Sequence, residues 1–185
     1  MKIRLIYTIG HSTHPINHFI EMLKNFQIEK LIDVRTIPRS RFNPQFNKES
    51  LSKVLQEQSI GYEHFPGLGG LRHSKVDSLN KGWRNKSFRG YADYMQTEEF
   101  EKNIQELMMQ VEKCLIAVMC AESVPWRCHR SLIADALLNH GFKVKDIMAP
   151  GKATLHQMNP MAKILEGKIY YPLDESENRE GDSSP

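Results

Sequence analysis

The chain has 185 residues, 40% of them hydrophobic and 25% charged, with a formal net charge of +3. That length suits one domain with a full core, and the composition argues against a fibrous or low-complexity protein. No run approaches the roughly eighteen apolar residues of a membrane-spanning helix.

Ile3–Ile9 is apolar and β-branched and predicts a strand ending at Gly10. Pro15 suits a first helical turn, and Ile16, Phe19, Ile20, Leu23 and Phe26 recur at helical spacing after it. Lys30–Val34 predicts a second strand. The polar stretch 36–47, with Pro38 and Pro44, predicts a loop. A short helix is expected over Ser50–Gln58, then a strand over Tyr62–Phe65, stopped by Pro66 and the glycines 67, 69 and 70. Residues 71–90 lack periodicity and hold six bases against one acid, Asp77, which predicts a surface insertion, mobile in part. A long helical region follows, restarted by a cap at Thr97 with Glu98 and Glu99 behind it. Leu115–Met119 is the clearest central strand. A helix over about Leu132–His140 ends at Gly141, and Lys143–Met148 is the fifth strand. A last helix over Pro160–Leu165 and an edge segment at Ile169–Tyr171 complete the reading.

This alternation predicts an α/β fold. The expectation is a single three-layer domain over residues 1–173, with a mostly parallel sheet of about five strands flanked by helices, Rossmann-like or flavodoxin-like in general architecture. Residues 174–185 carry five acids and one base and predict an acidic, disordered tail. Without them the balance is 24 bases against 17 acids, a net +7. That permits a phosphate-bearing or nucleic-acid partner without demanding one. Met1–Tyr7 has neither the apolar core nor the cleavage site of a secretory signal. Three cysteines are an odd count for a disulfide framework, so reduced thiols and a cytoplasmic location are expected.

Ligands of such sheets bind beyond the carboxyl ends of the strands. Three ends carry unusual polar groups: His11 and Ser12 after the first strand, Asp33, Arg35, Arg39 and Ser40 after the second, and Glu122, Cys128, His129 and Arg130 after the fourth. If topology joins these ends, one cleft results. Cys128, at a helix start among cationic groups, is the leading nucleophile, with His11 or His129 as its base. The competing reading is a cysteine packed as a small hydrophobe. Cys120, directly after an apolar strand, reads as buried more than reactive, and Cys114 as structural. Asp33 would orient a histidine or a substrate hydroxyl, and Glu122 would transfer a proton or brace its loop. Arg35 and Arg130 would hold an anion, with Ser12, Arg39, Ser40 and His129 as further substrate contacts. Arg35 and Asp33 could equally form a structural ion pair. His64 reads as a satisfied strand histidine, and Tyr91 and Tyr94 as core or pocket wall.

Sharper motifs are missing. There is no Cys-x-x-Cys pair, and six residues separate Cys120 from Arg127, where a phosphatase loop needs five. Cys120, Cys128, His129 and His11 match no standard zinc module, so no metal is assigned, and no cofactor is legible.

The ordered blocks Thr8–Ser12, Asp33–Arg35 with Pro38 and Ser40, Tyr62 with His64 and Leu68–Gly70, Phe88–Ala92, and Cys120 and Glu122 with Cys128–Arg130 resemble the bacterial and archaeal "domain of unknown function 488" family. The matching blocks run from residue 8 to about 147. The resemblance implies an α/β domain and marks the same polar positions, but it supplies no reaction.

The leading expectation is a hydrolase or group transferase acting on a small anionic or phosphate-bearing substrate, such as a nucleotide or nucleic-acid component. A non-catalytic nucleic-acid-binding module is the alternative, and a metal-binding or thiol-redox protein the lesser one.

Overall fold

The structure, a computed structural model, describes residues 4–173. The acidic tail read at 174–185 lies outside the described residues. Six strands form one sheet in the order β3-β2-β4-β1-β5-β6. They are β1 (Leu5–Gly10), β2 (Lys30–Asp33), β3 (Gly61–His64), β4 (Ile116–Cys120), β5 (Lys143–Ala149) and β6 (Lys152–Leu155). The first five run parallel, and β6 folds back antiparallel on β5. The α-helices among the described residues are α1 (Ile16–Asn25), α2 (Lys48–Glu57), α3 (Lys86–Tyr94), α4 (Glu98–Val111) and α5 (Arg130–Asn139).

Side chains alternate across a strand, and here the alternation divides the core in two. Tyr7, Ile9, Leu31, Ala117 and Met119 pack with Phe19 and Leu23 of α1 and Leu51 and Leu55 of α2. Ile6, Ile32, Ile116, Val118 and Val144 pack with residues of α3, α4 and α5. The result is the expected three-layer α/β arrangement, with β4 buried along its whole length between the layers. The sheet has six strands rather than five. The strand β6 escaped the sequence reading because three of its four residues are exposed, which leaves no apolar signature.

Local chemistry sets the helix ends. Thr97 caps α4 by accepting from the Phe100 N–H at 3.2 Å, and Glu98, Glu99 and Glu101 fill the first turn. Such a cap is worth about 1 kcal/mol. Gly141, at φ 79°, closes the chain after α5.

Two expectations are corrected. Residues 71–85 are irregular but pinned: the buried Asp93 carboxylate accepts from the Lys75 N–H at 2.8 Å, from the Ser78 hydroxyl at 2.6 Å and from Asn80 Nδ2 at 2.8 Å. Asn80 is wholly buried. From Lys86 the chain is helical, capped by the Asn85 side chain. The last helix is also absent. Residues 163–165 form β7 (Lys163–Leu165), paired antiparallel with β8 (Lys168–Tyr170). Glu166 at φ 51° and Gly167 at φ 78° make the tight hairpin turn between them. The expected edge segment therefore belongs to this separate hairpin.

Candidate active site

In the sheet order, β2, β4 and β1 are neighbours, so their carboxyl ends share one edge. The register sets Gly10 beside Cys120 and Asp33 beside Met119. A Cβ on Gly10 would lie 1.8 Å from the Glu122 carbonyl oxygen, so only glycine lets the loop after β4 cross there. The edge opens into a cleft of about 410 Å³. His11, Arg35, Arg39, Ser40, Cys120, Glu122, Cys128 and His129 line it. Ile37, Leu71 and Phe88 supply apolar wall, and Arg127 stands at the lining too. Asp33 and Arg130 are buried outside the lining, at 0% and 1% exposure. Ser12 also lies outside it, half-buried at φ 45°.

The first wall is an interlocked polar group. Asp33 Oδ1 accepts from Arg35 Nε at 2.8 Å, and Oδ2 accepts from Arg35 Nη2 at 2.6 Å and from the Tyr62 hydroxyl at 2.7 Å. Arg35 Nη2 also donates to the Phe46 carbonyl at 2.8 Å. His11 Nδ1 donates to the Ser12 carbonyl at 2.8 Å, which leaves Nε2 as the acceptor facing Arg35 Nη1 at 3.2 Å. The His11 ring stacks on Phe46, with centroids 4.3 Å apart. Burial, with the Arg35 charge adding to it, lowers the His11 pKa to about 4, so the ring is neutral at pH 7. Both ring nitrogens are engaged, and Arg35 is already paired with a carboxylate.

The second wall holds two sulfurs in contact. Cys128 Sγ donates to Cys120 Sγ at 2.7 Å. Arg130 Nη1 donates to Cys120 Sγ at 3.3 Å and to the Glu122 carbonyl at 3.1 Å, while Nη2 donates to the Ser123 carbonyl at 3.2 Å. Burial opposes an anion on Cys120, but the Cys128 hydrogen bond and the Arg130 guanidinium outweigh it and bring its pKa below the ordinary thiol value. The same hydrogen bond, together with burial, pushes the Cys128 thiol well up. The pair titrates as a unit, with the negative charge favoured on Cys120. Sequence reasoning favoured Cys128 because it precedes a helix; it could not foresee that Arg130 reaches back to Cys120. The loop turns the Glu122 and Ser123 carbonyls, not amides, toward the arginine, unlike a phosphate cradle.

His129 forms the third wall. Its Nδ1 is 3.5 Å from Cys128 Sγ. Its Nε2 is buried near the backbone of Val34 and Leu68, without a well-formed hydrogen bond among the described residues. Burial lowers its pKa to about 4. Tyr91 tilts against the ring at 4.9 Å between centroids. A Cβ on Gly70 would meet His129 Nδ1 at 2.6 Å, so this glycine makes room for the imidazole. Gly67 and Gly69 similarly face Asn103 and Thr36, which explains the glycine run by packing.

His64 Nε2 donates to the Arg35 carbonyl at 2.8 Å, the satisfied strand histidine expected. Tyr91 and Tyr94 donate to the Leu68 and Gly67 carbonyls. Sequence reasoning missed Tyr62, Phe46 and Phe88 as site residues. Phe46 carried no distinguishing signal, since the same loop holds a second aromatic, Phe42, that is exposed. Among the described residues no three His, Cys, Asp or Glu side chains are arranged to hold a metal ion together. The basic 71–90 segment is partly turned inward. Arg72 lies 3.6 Å over the Tyr94 ring and donates to the Gly69 and Gly67 carbonyls, and Arg89 donates to the Trp83 carbonyl.

Fold and site together define an α/β protein with a thiol-bearing cleft at the carboxyl edge of its sheet. Residues 15–137 match the family described as Domain of unknown function DUF488, and the chain belongs to that family. No curated protein and no solved structure matches it. None of its described helices is long and apolar enough to cross a membrane.

Proposed function

We propose that this protein is a thiol-dependent enzyme, a hydrolase or group transferase acting on a small anionic substrate, with Cys120 as its nucleophile. One observation carries the reading: the Cys120 sulfur on the cleft wall accepts from both Cys128 Sγ and Arg130 Nη1. A thiolate is the reactive form of cysteine, and adjacent cations and donors favour it. His129, neutral and 3.5 Å from Cys128 Sγ, is placed to relay a proton from the pair rather than to keep it. His11 is a positioning residue that fixes Arg35, and Asp33 anchors the same group from below.

The substrate anion is assigned to Arg39 and Arg127, because Arg35 and Arg130 already have partners. Both Arg39 and Arg127 line the cleft, are exposed, and make no side-chain hydrogen bond or ion pair among the described residues. Ser40 and Glu122 complete the polar rim. Ile37, Leu71 and Phe88 favour a substrate with an apolar portion beside its charge. A phosphate group is one such anion.

Thiolate ultraviolet absorbance followed against pH tests the nucleophile, because it needs no reagent to reach a buried sulfur. Wild type and Cys128→Ser should each show a thiol titrating below the free value of about 8.5, and Cys120→Ser should lack it. The reading fails if no thiolate forms until alkaline pH.

A further inference from the structure

We infer that Cys120 and Cys128 act as a peroxide-reducing pair, closing to an intramolecular disulfide when Cys120 meets hydrogen peroxide. The inference rests on the reading of Cys120 as a reactive thiolate and adds a co-substrate for the same site. Three observations carry it. The two sulfurs are already in contact at 2.7 Å, on either side of the loop 121–127. Both line the cleft, yet they are only 1% and 7% exposed, which admits a small neutral oxidant more readily than a bulky one. The third cysteine, Cys114, lies outside that lining and is outside the pair.

The chemistry balances with residues at the site. The Cys120 thiolate attacks one peroxide oxygen; the O–O bond breaks, a sulfenic acid forms on Cys120, and hydroxide departs. Sulfur loses two electrons and the peroxide gains them. The Cys128 proton passes to His129 Nδ1, 3.5 Å away, and on to the departing oxygen. Cys128 sulfur then attacks the Cys120 sulfenic sulfur, the S–O bond breaks, and the second oxygen leaves as water, taking from solvent the proton that Cys120 released when it ionised. In sum, two thiols and one hydrogen peroxide give a disulfide and two waters. Arg130 favours the attacking thiolate before the reaction and keeps its carbonyl partners, Glu122 and Ser123, after it. A dithiol reductant reverses the cycle by thiol–disulfide exchange.

The test exposes the full chain to stoichiometric hydrogen peroxide, with intact-mass and peptide mass spectrometry. The expected product has lost two hydrogens, carries a Cys120–Cys128 link and a free Cys114 thiol, and reverts with dithiothreitol. Its rate at neutral pH should exceed that of free cysteine by at least about tenfold, since an unperturbed thiol is only a few per cent thiolate there. In Cys128→Ser, dimedone should trap a sulfenic acid on Cys120. Oxidation at the free-cysteine rate, or at Cys114 instead, overturns the inference. Measured beside it, the thiolate titration separates the two claims. A low-pKa thiolate without disulfide formation removes the peroxide role and leaves the nucleophile. No such thiolate and no disulfide removes both. The wild-type mass result decides the matter even if Cys128→Ser fails to fold.

Discussion

The guanidinium of Arg130 lies 3.3 Å from the sulfur of Cys120, and both groups are 1% exposed. The same guanidinium satisfies two carbonyls of the loop between them. Arg130→Met should therefore do two things. It should raise the pKa of the Cys120 thiol, read by thiolate absorbance, because the anion loses its cation. It should also cost about 1–3 kcal/mol, read by urea unfolding, because two loop carbonyls lose their donor. Arg130→Lys keeps the charge but not the fork, so it should retain part of the thiolate and still lose stability. Unchanged thiol titration in Arg130→Met would mean that Arg130 is only a loop brace.

The Asp33–Arg35 pair predicts a different pattern. Asp33 is wholly unexposed and Arg35 is 6% exposed. Asp33→Asn should leave a buried guanidinium without its counter-charge and destabilise the protein by about 3–5 kcal/mol. Tyr62→Phe removes one hydrogen bond to the same carboxylate and should cost about 1–2 kcal/mol. Because Arg35 holds His11, Asp33→Asn should also loosen the His11 ring, visible as a changed imidazole NMR shift. Equal losses in the two variants would contradict the ion-pair account.

Beyond the cleft, His156 is held between Asp146 Oδ2 at 3.1 Å and Asp135 Oδ1 at 3.0 Å. Burial opposes its charge, but hydrogen bonds to Asp135 and Asp146 outweigh this and raise its pKa from 6.5 to about 9. The folded state therefore binds the proton more tightly than the unfolded chain. The stabilisation is full below about pH 6.5, declines as pH rises, and is gone above about 9. Thermal unfolding should show a falling Tm through that window in wild type. His156→Asn should be less stable at the lower end, with the gap narrowing toward the upper end. A pH-independent gap would sink the claim.

The contrast between cleft and periphery also explains what the sequence could show. Strands β1 and β4 were legible as short apolar runs, and α1 and α4 because their buried residues recur at helical spacing. The three polar strand ends were legible as candidates, since polar clusters after apolar strands are unusual. Their meeting was not, because it depends on β4 inserting between β2 and β1. Long-range pairing also hid the loop 71–85. Its polar residues look solvated in sequence, yet Ser78 and Asn80 are buried around Asp93. The 160–165 segment misled for the opposite reason: Met161, Ile164 and Leu165 have helical spacing, but the turn at Glu166 and Gly167 selects a hairpin.

Gly70 offers a way to disturb the thiol pair without altering a reactive group. Its φ is not positive, so alanine meets no backbone penalty there. The new Cβ would sit 2.6 Å from His129 Nδ1 and 2.9 Å from Cε1, so the ring must shift. His129 also packs against Tyr91, a wholly buried ring. Gly70→Ala should thus cost about 1–3 kcal/mol by overpacking and move the imidazole relative to Cys128. Cys120 keeps Arg130, so its thiolate should still form, whereas proton removal from Cys128 should slow. Stopped-flow oxidation would then show sulfenic acid accumulating on Cys120 before the disulfide appears. Gly70→Ser should do the same more strongly. If both variants close the disulfide at the wild-type rate, His129 does not relay the Cys128 proton.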